Sequence, residues 1–232
     1  MLILGIESAT AQVGCAIGTG DGVLAAARSA RGRRHAESLA PQIQFVVEQA
    51  GVTLGDVSVV AVDVGPGLYT GLRVGVTTAV ATAHALDVPV IGVMSLDLLA
   101  FPVRLTDRRI VAVIDARRGE VFHAAYRAVP GGVQRTTEPA VDPPAELQAE
   151  IVAGGEETLV VGDGALRHRE LFAAVSEIEI ADPGFAHPSA SALVELAHAR
   201  AVREEFVRPD QIAPLYLRQP DAVAHFDAGV RR

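Results

Sequence analysis

The chain repeats itself. "MLILGIESATAQVGCAIGTGDGVLAAARSA" reads as an apolar strand ending at Glu7, a polar corner, a second strand Val13–Gly18, a Gly-Asp-Gly turn and a third strand. From Arg109, "RRIVAVIDARRGEVFHAAYRAVPGG" follows the same order: an apolar strand ending at Asp115, a turn through Gly119, a strand Val121–Arg127 and a Pro-Gly-Gly turn. Setting Asp115 on Glu7 also sets Val121 on Val13. Each meander leads to a helical segment and then to a valine-rich run closed by glycine, "VSVVAVDVGPG" in the first half and "ETLVVGDGA" in the second. Continuous apolar runs of this kind suit strands buried on both faces of a mixed sheet, and a further helix follows each.

Two copies of meander, helix, strand and helix are similar to the actin-like (ASKHA) group of ATPases and sugar kinases. The expected fold is therefore α/β and duplicated, with two lobes of mixed sheets flanked by helices and, in that group, nucleotide normally between them. The boundary is expected near Phe101-Pro102, giving a first lobe over 1–101 and a second over 102–232. Ser189–Glu205 carries Ala192, Leu193, Leu196, Ala197 and Ala199 at mostly helical spacing, and the ending "DAVAHFDAGVRR" reads as a loose tail.

With 232 residues, half of them apolar, the chain can bury a sound core. Its apolar runs stop well short of the roughly 20 residues a membrane span requires, and no charged region precedes the first of them. Cys15 is the only cysteine, which excludes disulfides within the chain and thiolate zinc sites and makes a reducing cytoplasm the expected setting. There is no lysine, so neither a Walker-type lysine nor a Schiff base is available. A net charge of −8 disfavours direct binding to a nucleic-acid backbone. The local exception is "RSARGRRHAE", where Arg28, Arg31, Arg33 and Arg34 form either a solvated loop or a contact for an acidic partner or a phosphate.

The richest motif is "VDVGPGLYTGLRVGVTTAVATAHA", Val62 to Ala85. Its Gly65-Pro66-Gly67 turn leaves a strand, and Thr70 is placed to cap the helix that follows. Amides at such a start attract anions, but the lysine and Ser/Thr neighbour of a phosphate loop are missing. Beyond it, Gly71, Gly75, Ala79 and Ala83 share one helical face, with Thr78 and Thr82 beside them. Each interior glycine costs about 1 kcal/mol against alanine, so close backbone approach is implied. That face packs either on the protein's own sheet or under a partner helix. The preceding helix, with Ser38 as N-cap, Pro41 in its first turn and Gly51 at its end, carries a broad apolar surface of Leu39, Ile43, Val46, Val47 and Ala50. The candidate partner interface is Leu39, Ile43, Val46, Thr70, Gly71, Val74, Gly75, Thr78, Ala79 and Thr82. Tyr69 reads as a packed or interfacial aromatic. Asp63 and Asp115 are strand-end carboxylates that either cap turns or, with Glu7, organise Mg²⁺ in an ATP-dependent enzyme whose Gly65–Gly67 and Gly162–Gly164 turns hold phosphates.

"HAESLAPQI", "VDVGPGLYTGLRVG", "DVPVIGVMSLDLLA", "IDARRGEVF" and "PLYLR" occur in this order from His35 to Arg218 and together resemble the bacterial TsaB (YeaZ) family. His35, Glu37, Gly65, Pro66, Gly67, Arg73, Asp115, Arg117, Gly119 and Glu120 lie on these motifs. The resemblance implies an actin-like, non-catalytic subunit of the complex that attaches threonylcarbamoyl to the adenosine beside the anticodon of certain tRNAs. It implies as partners the catalytic paralogue TsaD, the small ATPase TsaE and, when alone, a second copy of the chain, with tRNA reached only through the complex. The paralogue carries two metal-binding histidines four apart in the segment after a strand like "VPVIGV"; here Ser95 and Leu99 stand there, and leucine offers a metal no lone pair. The seven histidines include no His-x-x-x-His pair. The family's Asp-Thr-Ser becomes "IESAT", with Glu7 for the aspartate and Ser8 for the threonine. No metal and no cofactor of its own are therefore expected, and ATP or ADP only at the interface with TsaD.

Overall fold

The computed structural model describes residues 1–30 and 35–218. Arg31, Arg33 and Arg34 and the expected tail, including His225, lie outside the described residues, as does the side chain of His35. Two mixed sheets form the frame. The first contains β1 (Ile3–Glu7), β2 (Val13–Thr19), β3 (Gly22–Ser29), β4 (Val59–Gly65) and β5 (Val90–Met94) in the order β3-β2-β1-β4-β5. The second contains β6 (Arg109–Arg117), β7 (Glu120–Val129), β8 (Gly132–Arg135), β10 (Thr158–Val161) and β11 (Ile178–Ile180) in the order β11-β10-β6-β7-β8, with β9 (Ala140–Asp142) also paired to β7. Helices α1 (His35–Ala50), α2 (Tyr69–Leu86), α3 (Ser95–Ala100), α4 (Pro144–Gly154), α5 (Asp163–Arg167), α6 (Arg169–Phe172) and α7 (Ala190–Val202) complete it. This is the duplicated actin-like α/β fold.

The repeat seen in the sequence is real and slightly offset. β1 and β2 run antiparallel with Glu7 opposite Gly14, whereas β6 and β7 place Asp115 opposite Val121. The second corner is tighter because Arg117 pairs with Glu120 across Arg118 and Gly119, and both of these adopt positive φ, 56° and 80°. Paired positive φ values match the right-handed twist of a hairpin.

The apolar run of β1 is buried throughout, because helices cover both faces of the first sheet. On one face, Leu39, Ile43 and Val46 of α1 and Val76, Ala79 and Ala83 of α2 close over Leu4, Ile6, Val60 and Val62. On the other, Leu193, Val194 and Ala197 of α7 pack on Ile3, Ala16 and Val59. A cut at Phe101-Pro102 thus separates the two sheets but not the packing: α7, and the segment behind it, return to the first lobe. Cys15 is buried in the α1–α2 side, and that burial pushes its thiol pKa up, as suits a small core residue.

Several local expectations are corrected. α1 begins at His35, so Ser38 is inside it and Pro41 stands in its second turn on the exposed side. α2 begins at Tyr69, and Thr70 does not cap it; the chain enters through Leu68, fixed by its N–H to Ala9 O (2.7 Å) rather than by a side chain. The face Gly71, Gly75, Ala79 and Ala83 looks inward. A Cβ on Gly75 would run into Ser8 Oγ, whose hydroxyl donates to Gly71 O (2.8 Å), so the glycines let α2 lie down on the end of β1. Leu39, Ile43, Val46, Gly71, Gly75 and Ala79 are consequently core residues and not a free interface, while Thr70 is exposed and Val74, Thr78 and Thr82 are half-buried.

The lobes are tied through α3. Asp97 accepts from Tyr126 OH of β7 (2.9 Å) and pairs with Arg200 of α7 (3.3 Å), whose Nη1 donates to Gly92 O (2.6 Å). Asp97→Ala leaves these partly buried donors without their acceptor and is expected to cost about 2 kcal/mol, read as a lowered urea midpoint with unchanged m.

Candidate functional site

The carboxyl ends of β1 and β4, neighbours in the sheet, bring two buried acids together. Glu7 Oε1 accepts from Ala9 N–H (2.8 Å); Asp63 Oδ1 accepts from Gly65 N–H (2.8 Å) and from the Ser95 hydroxyl (2.6 Å). Glu7 Oε2 and Asp63 Oδ2 are buried and have no hydrogen-bond partner among the described residues. Burial pushes Asp63 up to about 7, and burial together with the charge of Asp63 holds Glu7 well above the usual carboxylate range. Neighbouring carboxyls taken out of water do not both ionise readily.

The glycine loop beside them is turned in part to the protein's own corner. Gly65 N–H is committed to Asp63 and Leu68 N–H to Ala9 O. Gly67 lies so close to Ala9 O that a Cβ there would collide with it. Two amides of the loop, those of Gly65 and Leu68, thus serve the protein's own corner, beside the carboxyls of Glu7 and Asp63. Among the described residues no cluster of three or more His, Cys, Asp or Glu side chains is placed to hold a metal ion.

In the second lobe Asp115 acts as a turn cap. Its Oδ1 accepts from Arg117 N–H (2.9 Å), and its Oδ2 meets the guanidiniums of Arg117 (3.0 Å) and Arg167 (3.3 Å). Asp163, opening the second glycine turn, accepts from Asp115 N–H (3.0 Å). Glu120 accepts from Arg218 (2.6 Å). That contact ends a strap: Val207 bridges Val90, Leu215 N–H donates to Val64 O (2.6 Å), and Tyr216 lies 5.2 Å from the Tyr69 ring. Arg73 sits 4.1 Å over Tyr69 and donates to Tyr216 OH (3.3 Å), so Tyr69 is a packed aromatic at the molecular surface. Motif residues distant in sequence, Arg73, Glu120 and Arg218, meet along this strap. The sequence shows "PLYLR" but carries no local signal of what it touches.

What remains open is the outer side of α1 and α2. Ala40, Pro41, Gln44 and Phe45 of α1 and Thr70, Arg73, Thr77 and Ala81 of α2 are exposed on the same side of the first sheet. Phe45 is the notable one, 48% exposed although large and apolar. Glu37 is exposed in the first turn of α1. Sequence reading missed Phe45; the surplus of apolar columns on α1 was the available signal.

Residues 27–226 match the family model described as TsaD: tRNA N6-adenosine threonylcarbamoyltransferase. The chain is 29% identical over 221 residues to the tRNA threonylcarbamoyladenosine biosynthesis protein TsaB of Escherichia coli (strain K12), covering 94% of this chain and 95% of that one. It superposes on YeaZ from Pseudomonas aeruginosa with a TM-score of 0.80 at 26% identity, covering 93% and 99%. The chain belongs to the TsaB (YeaZ) family. An uncharacterized protein of Mycobacterium leprae (strain TN) is 37% identical over 225 residues, 95% of this chain but 56% of that protein, so this chain spans little more than half of that relative. In this member of the TsaB family the serine that stands where the paralogue was expected to carry a histidine is hydrogen-bonded to Asp63, and Leu99 is packed among Leu96, Ile114 and Val161.

Proposed function

We propose that this chain is a non-catalytic subunit in tRNA threonylcarbamoyladenosine biosynthesis that binds and activates a TsaD-type transferase, together with a TsaE-type ATPase. The observation that carries the reading is the exposed outer face of α1 and α2, which includes Phe45, in a chain whose strand-end acids each hold one oxygen on the protein's own corner. An exposed aromatic is the kind of anchor around which interfaces concentrate their energy. A helical partner face of matching shape would lie across Pro41, Phe45, Thr77 and Ala81. In the absence of that partner the same face serves a second copy of the chain. Any ATP or ADP sits at the interface with TsaD, tRNA is reached through the complex, and the setting is the cytoplasm. No helix among the described residues is long and apolar enough to cross a membrane.

The test is threonylcarbamoyl transfer to tRNA by TsaD and TsaE of the same organism, with the transfer donor supplied, with and without this chain and its Phe45→Arg and Thr77→Arg variants. Wild-type chain is expected to restore transfer. Each variant is expected to bind TsaD at least about tenfold more weakly while keeping its thermal midpoint, because both side chains are exposed. Full activity without the chain, or unchanged binding by both variants, would remove the scaffold reading. Hydrolysis of ATP by the isolated chain, lost in Asp115→Asn, would favour an enzyme of the sugar-kinase group instead.

A further inference from the structure

Where β3, α3 and α7 meet, a cavity of about 330 Å³ opens. Arg28 of β3 and Arg104, just beyond α3, both line it. Arg28 also borders two adjoining hollows of about 290 and 260 Å³. Elsewhere in this acidic chain arginines such as Arg108, Arg117, Arg200 and Arg218 sit on carboxylates. Among the described residues neither Arg28 nor Arg104 does: Arg104 donates to Phe101 O (2.9 Å) and stacks 3.9 Å over the Phe101 ring, and Arg28 has no ion pair. His187 lines the same cavity with a buried Nδ1 that has no partner among the described residues. The start of α7, a helix of 13 residues, adds its positive end; Ser189 Oγ accepts from the Ser191 amide (3.2 Å). One carboxylate, the exposed Glu195, stands among the lining residues.

Unneutralised guanidiniums sharing a concave site with an aromatic wall are costly to assemble by chance in a chain of charge −8. We propose that this cavity binds a small organic anion, a carboxylate or a phosphate ester, whose charged oxygens meet Arg28 and Arg104 and whose flat apolar body lies against Phe185, which lines the same cavity and is 38% exposed. The volume is at the lower end of small-molecule sites and admits a single ring with its substituents. His187 gives the site an internal reporter. Burial and the charge of Arg28 hold its pKa below the ordinary value, Asp163 pulling the other way, so an anion brought beside it raises that pKa. The proposal is independent of the partner reading.

The experiment is an NMR titration of the full chain with phenyl phosphate, benzoate, inorganic phosphate and, as a neutral isostere, benzamide. Phenyl phosphate or benzoate is expected to give saturable shifts at residues 28, 104 and 185–191 and to raise the His187 pKa. Arg28→Ala and Arg104→Ala are each expected to weaken binding about tenfold with little change in thermal midpoint, since a charge-assisted hydrogen bond is worth at least that much. The tighter of the two organic probes identifies the anion as carboxylate or phosphate. Benzamide binding as well as benzoate, inorganic phosphate binding as tightly as phenyl phosphate, shifts centred elsewhere, or unaltered affinity in both arginine variants would each overturn the proposal.

Discussion

Gly75→Arg is expected to unfold the first lobe, costing about 3–5 kcal/mol, and not to act as a clean interface mutation. Read from periodicity alone, Gly75 belongs to a small-residue face on which an arginine would block a partner helix. In the structure the first atom of that side chain already collides with Ser8 Oγ, itself hydrogen-bonded to Gly71 O, and beneath it lies the buried Ile6. To admit the side chain, α2 must lift off β1, which uncovers Val76, Ala79 and Ala83. Even Gly75→Ala is expected to cost about 1–3 kcal/mol, because overpacking here meets the end of a central strand rather than a flexible tip. Urea denaturation followed by circular dichroism checks both. A Gly75→Arg protein as stable as the parent would show that the face is more open than the Ser8 contact allows, and would return it to the list of partner surfaces. The comparison with Phe45→Arg is what separates folding from recognition: the first variant is expected to lose stability and therefore binding, the second to lose binding alone.

That difference marks how far sequence could be read. The duplicated meander located the paired corners at Glu7 and Asp115, and continuous valines correctly pointed to strands covered on both faces. The spacing of Gly71, Gly75 and Ala79 specified that they share a face, but a helix laid on its own sheet and one laid on a partner demand the same small residues at the same intervals. Only the position of Ser8 decides between them, and Ser8 is brought there by β1, far away in the chain. The same holds for Asp97 with Tyr126 and Arg200, and for Arg218 with Glu120: charged partners separated by whole elements leave no pattern in a window of residues. Caps failed for a related reason. Thr70 has the right chemistry for an N-cap, yet Leu68 bound to Ala9 O fixes where the helix starts.

Asp63→Asn is expected to stabilise the protein by about 2–4 kcal/mol at pH 8 and to change little at pH 4. The sign follows from burial. Asp63 has an ordinary value of 3.8 and is pushed up to about 7 by desolvation, against the opposing hydrogen bonds from Ser95 and Gly65 and with a small addition from Asp97. A carboxyl that binds its proton more tightly when folded contributes fully below the unfolded value, loses that contribution as pH rises toward about 7, and is flat above it. Asparagine keeps an oxygen for Ser95 and Gly65 and puts an amide where Oδ2 is left without a partner, so the variant avoids the cost of ionising there. It also removes the negative charge that holds Glu7 up, leaving burial as the main cause of that shift. Urea midpoints of parent and variant between pH 4 and 8 are therefore expected to diverge upward through that interval. A parent whose stability rises with pH over the same interval, in parallel with the variant, would mean that Asp63 is ionised in the fold. The orphan oxygens of Glu7 and Asp63 would then need a cation to account for them, and the internal commitment of this corner, on which the non-catalytic reading leans, would have to be given up.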